Sequence, residues 1–108
     1  NQKQDLTTNT VTTLYAVPSN SRAIIKSILV CDDTNNGSDI TVDLFNGDPA
    51  TADKFTIFKN KAIAGNATEQ LLNEPLIMQE SETLQVTAAD ANRLHVVASI
   101  LEINREDR

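Results

Sequence analysis

The sequence predicts an all-β domain of about eight antiparallel strands, arranged as a sandwich or a barrel. Short apolar runs recur along the 108 residues and are separated by breaks rich in Asn, Asp, Ser and Gly. Within these runs apolar and polar residues alternate, as at Leu84, Val86 and Ala88, so that one face of each strand suits a core. The length is that of a single domain.

The ends of the chain differ in composition from its middle. Residues 1–10 (NQKQDLTTNT) contain one apolar side chain, Leu6, which predicts a flexible or partner-ordered N-terminal arm. The β domain is predicted over residues 11–103. Residues 104–108 (NREDR) are too charged to continue a core, and we predict that they form a surface tail.

Three strands are predicted in the first half of the chain. The first, Val11–Val17, is ended by Pro18, and the second, Arg22–Cys31, is the longest β-branched run and is predicted to lie centrally in a sheet. Residues 32–38 (DDTNNGS) give the strongest turn signal, and Asp39–Phe45 then alternates cleanly. The last two strands are therefore predicted to form a hairpin.

Five further strands are predicted in the second half. Lys54–Lys59 has a lysine at each end, which is typical of a sheet edge. Residues 61–72 are interpreted as a strand end, a turn and a short strand. Three apolar runs complete the set: Pro75–Met78, Thr83–Ala88 and Leu94–Ile103.

The final run is apolar on both of its faces. One face carries Leu94, Val96, Ala98 and Ile100, and the other carries Val97, Leu101 and Ile103. Contact with a symmetry mate would explain the second face, and so would a central strand covered by loops. The sequence favours neither explanation.

Composition and charge argue against several classes of function. The chain has nine basic and 15 acidic residues, a net charge of −6, which repels a phosphate backbone, so nucleic-acid binding is not predicted. No stretch approaches the roughly 20 apolar residues that span a bilayer. Cys31 is the single cysteine, which rules out an intrachain disulfide and favours assembly in a reducing compartment.

The sequence shows no catalytic constellation. His95 is the only histidine, so multi-histidine metal sites are ruled out, and a structural or surface role is expected at the start of a strand. Cys31 closes an apolar run and is expected to be a small buried hydrophobe. We therefore predict a protein that is not an enzyme and that needs no cofactor.

One turn loosely matches a calcium-binding loop. Asp32, Thr34 and Asn36 fall at positions 1, 3 and 5 of the pattern, Gly37 at position 6, and Asp43 at position 12 in place of the usual Glu. Strands rather than helices are predicted on both sides, and a tight turn requires the same residue types. A plain turn is the favoured interpretation, with calcium as the alternative.

Aromatic residues are scarce: the chain has no Trp, one Tyr and three Phe. Carbohydrate-binding sandwiches usually need exposed aromatic platforms, whereas Phe45, Phe55 and Phe58 are expected to fill the core. Glycan binding is therefore a disfavoured alternative.

Two stretches resemble a family of small virion proteins of tailed bacteriophages. One is residues 14–45, with a Leu-Tyr-x-Val-Pro strand end and an Asn/Gly/Ser turn. The other is residues 71–103, with a Thr-Leu-x-Val strand and a last strand ending in Ser-x-x-Glu-Ile. The resemblance is carried by Leu14, Tyr15, Val17, Pro18, Lys26, Pro75, Leu76, Leu84, Val86, Ser99, Glu102 and Ile103.

The resemblance implies a jelly-roll-like β-sandwich that serves as a capsid decoration (cement) protein. Such a protein would form a homotrimer, bind the major capsid protein and stabilise the phage head after assembly in the bacterial cytoplasm. A neck or tail component is the alternative within the family. The predicted interface residues are Gln4, Asp5, Leu6, Thr7 and Thr8 in the arm and Val97, Leu101 and Ile103 in the last strand.

Overall fold

A computed structural model of the chain describes residues 2–47 and 53–104. These residues form nine strands in two antiparallel sheets that pack face to face. The strands are β1 (Gln2–Leu6), β2 (Thr12–Ala16), β3 (Ser21–Asp32), β4 (Ser38–Phe45), β5 (Lys54–Ile63), β6 (Thr68–Gln70), β7 (Leu76–Met78), β8 (Thr83–Ala88) and β9 (Leu94–Asn104). The predicted all-β sandwich is confirmed, and β2 to β9 correspond to the eight predicted strands.

Apart from β4 and β5, strands that are neighbours in a sheet are not consecutive in the chain. In the first sheet the order is β1-β9-β3-β6, and β7 pairs with the other end of β3, so that β6 and β7 together occupy one strand position. In the second sheet the order is β2-β8-β4-β5. Most connections therefore cross from one sheet to the other, as they do in a jelly roll.

The core lies between the inner faces of the two sheets. The first sheet contributes the fully buried Ile25, Ile28 and Val96, and the second contributes Val42 and Val86. These residues recur at every second position, apart from a bulge at residue 26 of β3, which explains why alternation in the sequence located the strands. The inner face of β9 is thus part of the core.

The predicted hairpin between β3 and β4 is wrong. β3 pairs within the first sheet and β4 within the second, so the intervening residues 33–37 form a corner between sheets. The turn signal was real, since Gly37 has φ +72°, but such a signal reports where the chain reverses and not which strands pair. A second turn braces the corner: the Asn66 amide donates to the Thr34 carbonyl at 2.8 Å.

Residues 2–6 were predicted to belong to a flexible or partner-ordered arm. They instead form β1 at the edge of the first sheet. β1 runs antiparallel to β9, with Gln2 opposite Ala98 and Leu6 opposite Leu94. Leu6 is 1% exposed. One buried apolar side chain and backbone hydrogen bonds to β9 are enough to hold this polar edge strand. Backbone hydrogen bonding does not appear in the hydropathy of a sequence. Residue 1 of the arm and residues 105–108 of the predicted tail lie outside the described residues.

Candidate functional site

Exposed apolar side chains gather on the outer face of the first sheet. The strand register places Leu101 of β9 beside Ile24 of β3, and Ile24 beside Ile77 of β7. Leu101 is 44% exposed and Ile77 is 58% exposed, whereas Ile24 is half-buried between them. Ile103, 49% exposed, continues β9 next to Arg22. We call this set the apolar row: Ile24, Ile77, Leu101 and Ile103.

A second apolar pair lies on the same face. Leu29 of β3 is opposite Val97 of β9, and Leu29 is 38% exposed. Among the described residues six large hydrophobic side chains are exposed, and four of them are on this face: Leu29, Ile77, Leu101 and Ile103. Single exposed apolar residues are common on protein surfaces, whereas a cluster of them indicates an interaction surface.

Charges divide this face into two ends. At the end that holds the apolar row, Arg22 and Lys26 are exposed, and Glu80 lies close by, whereas Lys3 is opposite Val97 and nearer the other end. At the opposite end His95 lies 3.2 Å from an Asp5 carboxylate oxygen and 3.9 Å from one of Asp33. Two exposed cations therefore lie beside the apolar row, in a chain whose net charge is −6.

A surface cavity of about 240 Å³ adjoins the apolar row. It is lined by Ser21, Arg22, Gln79, Glu80 and Ile103. The Ser21 hydroxyl donates to the Asn104 side-chain oxygen at 2.6 Å, which fixes one wall. A cavity of this size accepts a single side chain of a partner more readily than a substrate.

The predicted interface residues fall into three groups. Val97, Leu101 and Ile103 lie on the outer face just described. Leu6 is in the core, and Gln4 shares its inner side and donates to the Thr13 carbonyl at 3.5 Å. Asp5 contacts His95, and Thr7 and Thr8 are exposed beyond the end of β1. Sequence reasoning missed Ile24, Leu29 and Ile77, because only long-range strand pairing brings them beside β9.

The predicted calcium ligands have other partners. One carboxylate oxygen of Asp32 accepts hydrogen bonds from the Thr34 amide at 2.8 Å and from the Thr34 hydroxyl at 2.6 Å. Asp43 lies in the second sheet and accepts a bond from the Thr56 hydroxyl at 2.8 Å. Asn36 donates through its amide to the Thr34 hydroxyl. Within the described ranges no three acidic, histidine or cysteine side chains converge as metal ligands.

The sequence-predicted positions of Cys31 and the aromatic residues need two corrections. Cys31 is half-buried on the outer face opposite His95, and is not fully buried, because β6 covers it only in part. Phe55 is 56% exposed, since β5 is an edge strand, whereas Phe45 is buried at 9%. In the described part of the chain no helix is long and apolar enough to cross a membrane.

No protein-family model and no curated protein matches this sequence. Solved structures of infectious bursal disease virus do resemble the fold. The chain is similar to one from the crystal structure of the T13 viral particle, with a TM-score of 0.61 and 12% identity, covering 96% of this chain and 29% of that one. For the Gx strain the TM-score is 0.58 at 10% identity, covering 90% and 27%. For the Gt strain it is 0.50 at 12% identity, covering 89% and 28%.

These similarities concern the fold. The chain is an all-β sandwich whose structural neighbours are chains of an icosahedral virus, and it spans less than a third of the length of those viral chains. Because only about one residue in ten is identical, the side chains of the outer face cannot be matched to side chains of the viral chains. Functional inference therefore rests on the surface of this molecule.

Proposed function

We propose that this domain is a non-enzymatic structural protein of a virion, a decoration (cement) protein on the head of a tailed bacteriophage. The observation that carries the proposal is the outer face of the first sheet, where exposed apolar side chains and cations are concentrated. The jelly-roll order, the neighbours in an icosahedral particle and the resemblance of residues 14–45 and 71–103 to phage virion proteins support it.

The mechanism is the addition of interface area between capsid subunits. A stable protein–protein interface buries about 800 Å² on each partner, and apolar area contributes roughly 25 cal/mol per Å². The apolar row supplies the centre of such a patch, and Arg22 and Lys26 supply a charged rim. In a homotrimer three identical faces would be presented together, so that one assembly bridges several capsid subunits against the pressure of the packaged DNA.

Copy number distinguishes the head from other locations. Quantitative mass spectrometry of purified particles should find hundreds of copies of a head decoration protein, because an icosahedral capsid offers many equivalent positions. About six or twelve copies would instead support the alternative, a neck or tail component. Light scattering of the free protein should give three times the 11.8 kDa mass of one chain, and a monomer would contradict the homotrimer.

Substitutions on the outer face test the particle-binding surface. Leu101→Asp combined with Ile77→Asp should abolish binding to particles that lack the protein, because both side chains are exposed and the change places charge in the patch. Val11→Asp is the matched control, since Val11 is 54% exposed but lies outside this face. Equal binding of both variants would overturn the assignment of the surface. Binding of the domain to a glycan array would favour the carbohydrate-binding alternative.

A further inference from the structure

The long edge strand of the second sheet is basic. Among the described strands β5 pairs only with β4, and all of its residues except Ile63 are exposed or half-buried. It carries the exposed Lys54, Lys59 and Lys61 and no acidic residue, and we call these lysines the basic edge. The register of β5 with β4 shifts twice, so a regular further strand would fit it poorly. A partner of the basic edge must therefore be recognised mainly by side chains.

An acidic cleft opens beside the end of β5. Its volume is about 540 Å³, and it lies where the corner after β3, the turn after β5 and the turn after β8 meet. Arg93 lines it, donates to the Gly37 carbonyl at 2.8 Å and lies 3.4 Å from an Asp90 carboxylate oxygen. Because Arg93 and Asp90 compensate each other, the net negative charge of the cleft comes from Asp39 and Glu69.

The backbone around the cleft is held in place by close packing. A Cβ at Gly65 would lie 2.6 Å from the carbonyl carbon of Asn35, so the two turns touch there without room for a side chain. On the other wall the Ser38 hydroxyl donates to the Asp90 carboxylate at 3.1 Å. A cleft that is already ordered binds a partner at a lower entropic cost.

The basic edge and the acidic cleft adjoin without neutralising each other. Lys61 comes two residues before Ile63, which lines the cleft. Within residues 2–47 and 53–104, no lysine of β5 forms an ion pair, and neither do Asp39 and Glu69. Opposite charges that are left unpaired within one copy are complementary between copies.

A second copy of this chain is the partner that fits both patches. Two basic edges would repel each other, as would two acidic clefts, so the contact joins different patches. Such a heterologous contact lets one copy bind a second through its cleft and a third through its edge, and it closes into a ring. Since exposed ion pairs alone contribute little, apolar area is also needed, and Phe55 on β5 is 56% exposed.

We propose that Lys59 and Lys61 of one copy enter the acidic cleft of the next, against Asp39 and Glu69, and that three such contacts close a ring. The number three rests on the proposed function, in which the protein is a homotrimer. The contact uses the edge of the second sheet and the corner between sheets, so the outer face of the first sheet stays available to the particle.

Reversing one charge of the basic edge should weaken the ring. In sedimentation equilibrium at about 50 mM salt, where screening is weak, the full-length parent should be a trimer. Lys61→Glu should raise the concentration of half-dissociation at least tenfold, because it places like charges together. Lys3→Glu is the matched control, with the same charge change on the edge strand β1, and should leave that concentration unchanged. An equal effect of Lys3→Glu would overturn the proposal, since net charge would then explain both results.

Exchanging the charges of the two patches tests their complementarity. One variant carries Lys59→Glu and Lys61→Glu, a second carries Asp39→Lys and Glu69→Lys, and a third combines all four changes and so keeps the net charge of the parent. The first two should be monomers, and the third should recover the trimer because edge and cleft are again opposite in charge. Circular dichroism shows whether each variant is folded. A third variant that is folded and monomeric would overturn the proposal.

Carbodiimide crosslinking of the parent locates the contact without any substitution. The reagent joins a lysine amine to a carboxylate in direct contact, and mixing isotope-labelled with unlabelled chains identifies the crosslinks between copies by mass spectrometry. Lys59 or Lys61 should be joined to Asp39 or Glu69 of another copy. A monomeric parent, or crosslinks confined to other residues, would overturn the proposal. A trimer joined through this contact but missing from purified particles would support the inference and contradict only the proposed function.

Discussion

At the scale of single residues, one side chain ties the two sheets together. The Tyr15 hydroxyl of β2, in the second sheet, donates a hydrogen bond to the Glu102 carboxylate of β9, in the first sheet. Tyr15 is 8% exposed. Tyr15 and Glu102 are 87 positions apart in the sequence, so this contact joins two distant parts of the chain.

Removing the Tyr15 hydroxyl should weaken the sandwich without altering its packing. Tyr15→Phe is expected to lower the free energy of unfolding by about 1–2 kcal/mol, because a hydrogen bond to a charged acceptor is lost and the ring remains. Urea unfolding followed by circular dichroism measures the change. Thr10→Ala, at an exposed hydroxyl in the β1–β2 connection, is the control and should change stability by less than about 0.5 kcal/mol. A Tyr15→Phe variant as stable as the parent would show that this bond does not hold the sheets together.

The free energy of unfolding should also fall at alkaline pH, because the pKa of the Tyr15 hydroxyl is raised in the folded state. Burial raises the pKa of the Tyr15 hydroxyl above its usual 10.0, and so do the hydrogen bond to Glu102 and the negative charge of that carboxylate. A raised pKa means that the folded state holds the proton more tightly, so this contribution is complete below pH 10 and is lost as the pH rises beyond it. Tyr15 is the only tyrosine, and its ultraviolet titration reports the group directly. The Tyr15→Phe variant should lose less stability above pH 10 than the parent does.

The buried Asp32 should contribute to stability through its hydrogen bonds at the turn, the favoured interpretation of this segment, and not through calcium, the alternative. Asp32→Ala removes two hydrogen bonds to Thr34 at the corner between sheets and should cost about 1–3 kcal/mol. Asp32→Asn retains an acceptor and removes a buried charge, so it should cost less. Thermal melting measures both, and a parent melting temperature that rises on adding calcium would reinstate the calcium alternative.

At the scale of elements, β1 should matter more to folding than its polar sequence suggests. Leu6→Ala is expected to cost about 2–4 kcal/mol, because Leu6 is fully buried opposite Leu94. Thr8→Ala, two residues further on and exposed, is the control and should be nearly neutral. Denaturant unfolding distinguishes the two. Equal stability of both variants would mean that β1 detaches readily from β9 and behaves as the predicted arm.

The elements show what sequence patterns do and do not contain. Alternation located β3, β4, β8 and β9, since burial of one face imposes a two-residue period. Alternation did not identify the pairing partner of each strand. The Asn-Gly turn marked the corner after β3, but it did not indicate that the chain passes to the other sheet there. β1 was missed because its stability comes from backbone pairing, which leaves little trace in hydropathy.

At the scale of the whole molecule, the same limit applies to the candidate surface. The sequence singled out Val97, Leu101 and Ile103 as interface residues, since apolar residues on both faces of a strand are visible in sequence, but it did not decide whether loops cover them. The extension to Ile24 and Ile77 required the register across β9, β3 and β7.

Refolding should be slow for a domain of this size. Most neighbours in each sheet are far apart in the chain, as β1 and β9 are, and such topologies fold in milliseconds to seconds rather than microseconds. Stopped-flow circular dichroism after dilution from urea measures the rate. A relaxation faster than a millisecond would show that local contacts, such as those between β4 and β5, dominate the transition state.

The pairing of β9 between β1 and β3 also constrains how the protein is made. While residues 94–98 are still inside the ribosome, β1 has no partner and β3 can pair, among the described strands, only with the short β6 and β7. The nascent chain must therefore remain soluble with Ile25, Ile28 and Val30 incompletely covered until β9 has emerged. An acidic chain, with six more negative than positive charges, is suited to that interval because like charge keeps the unfolded copies of neighbouring ribosomes apart.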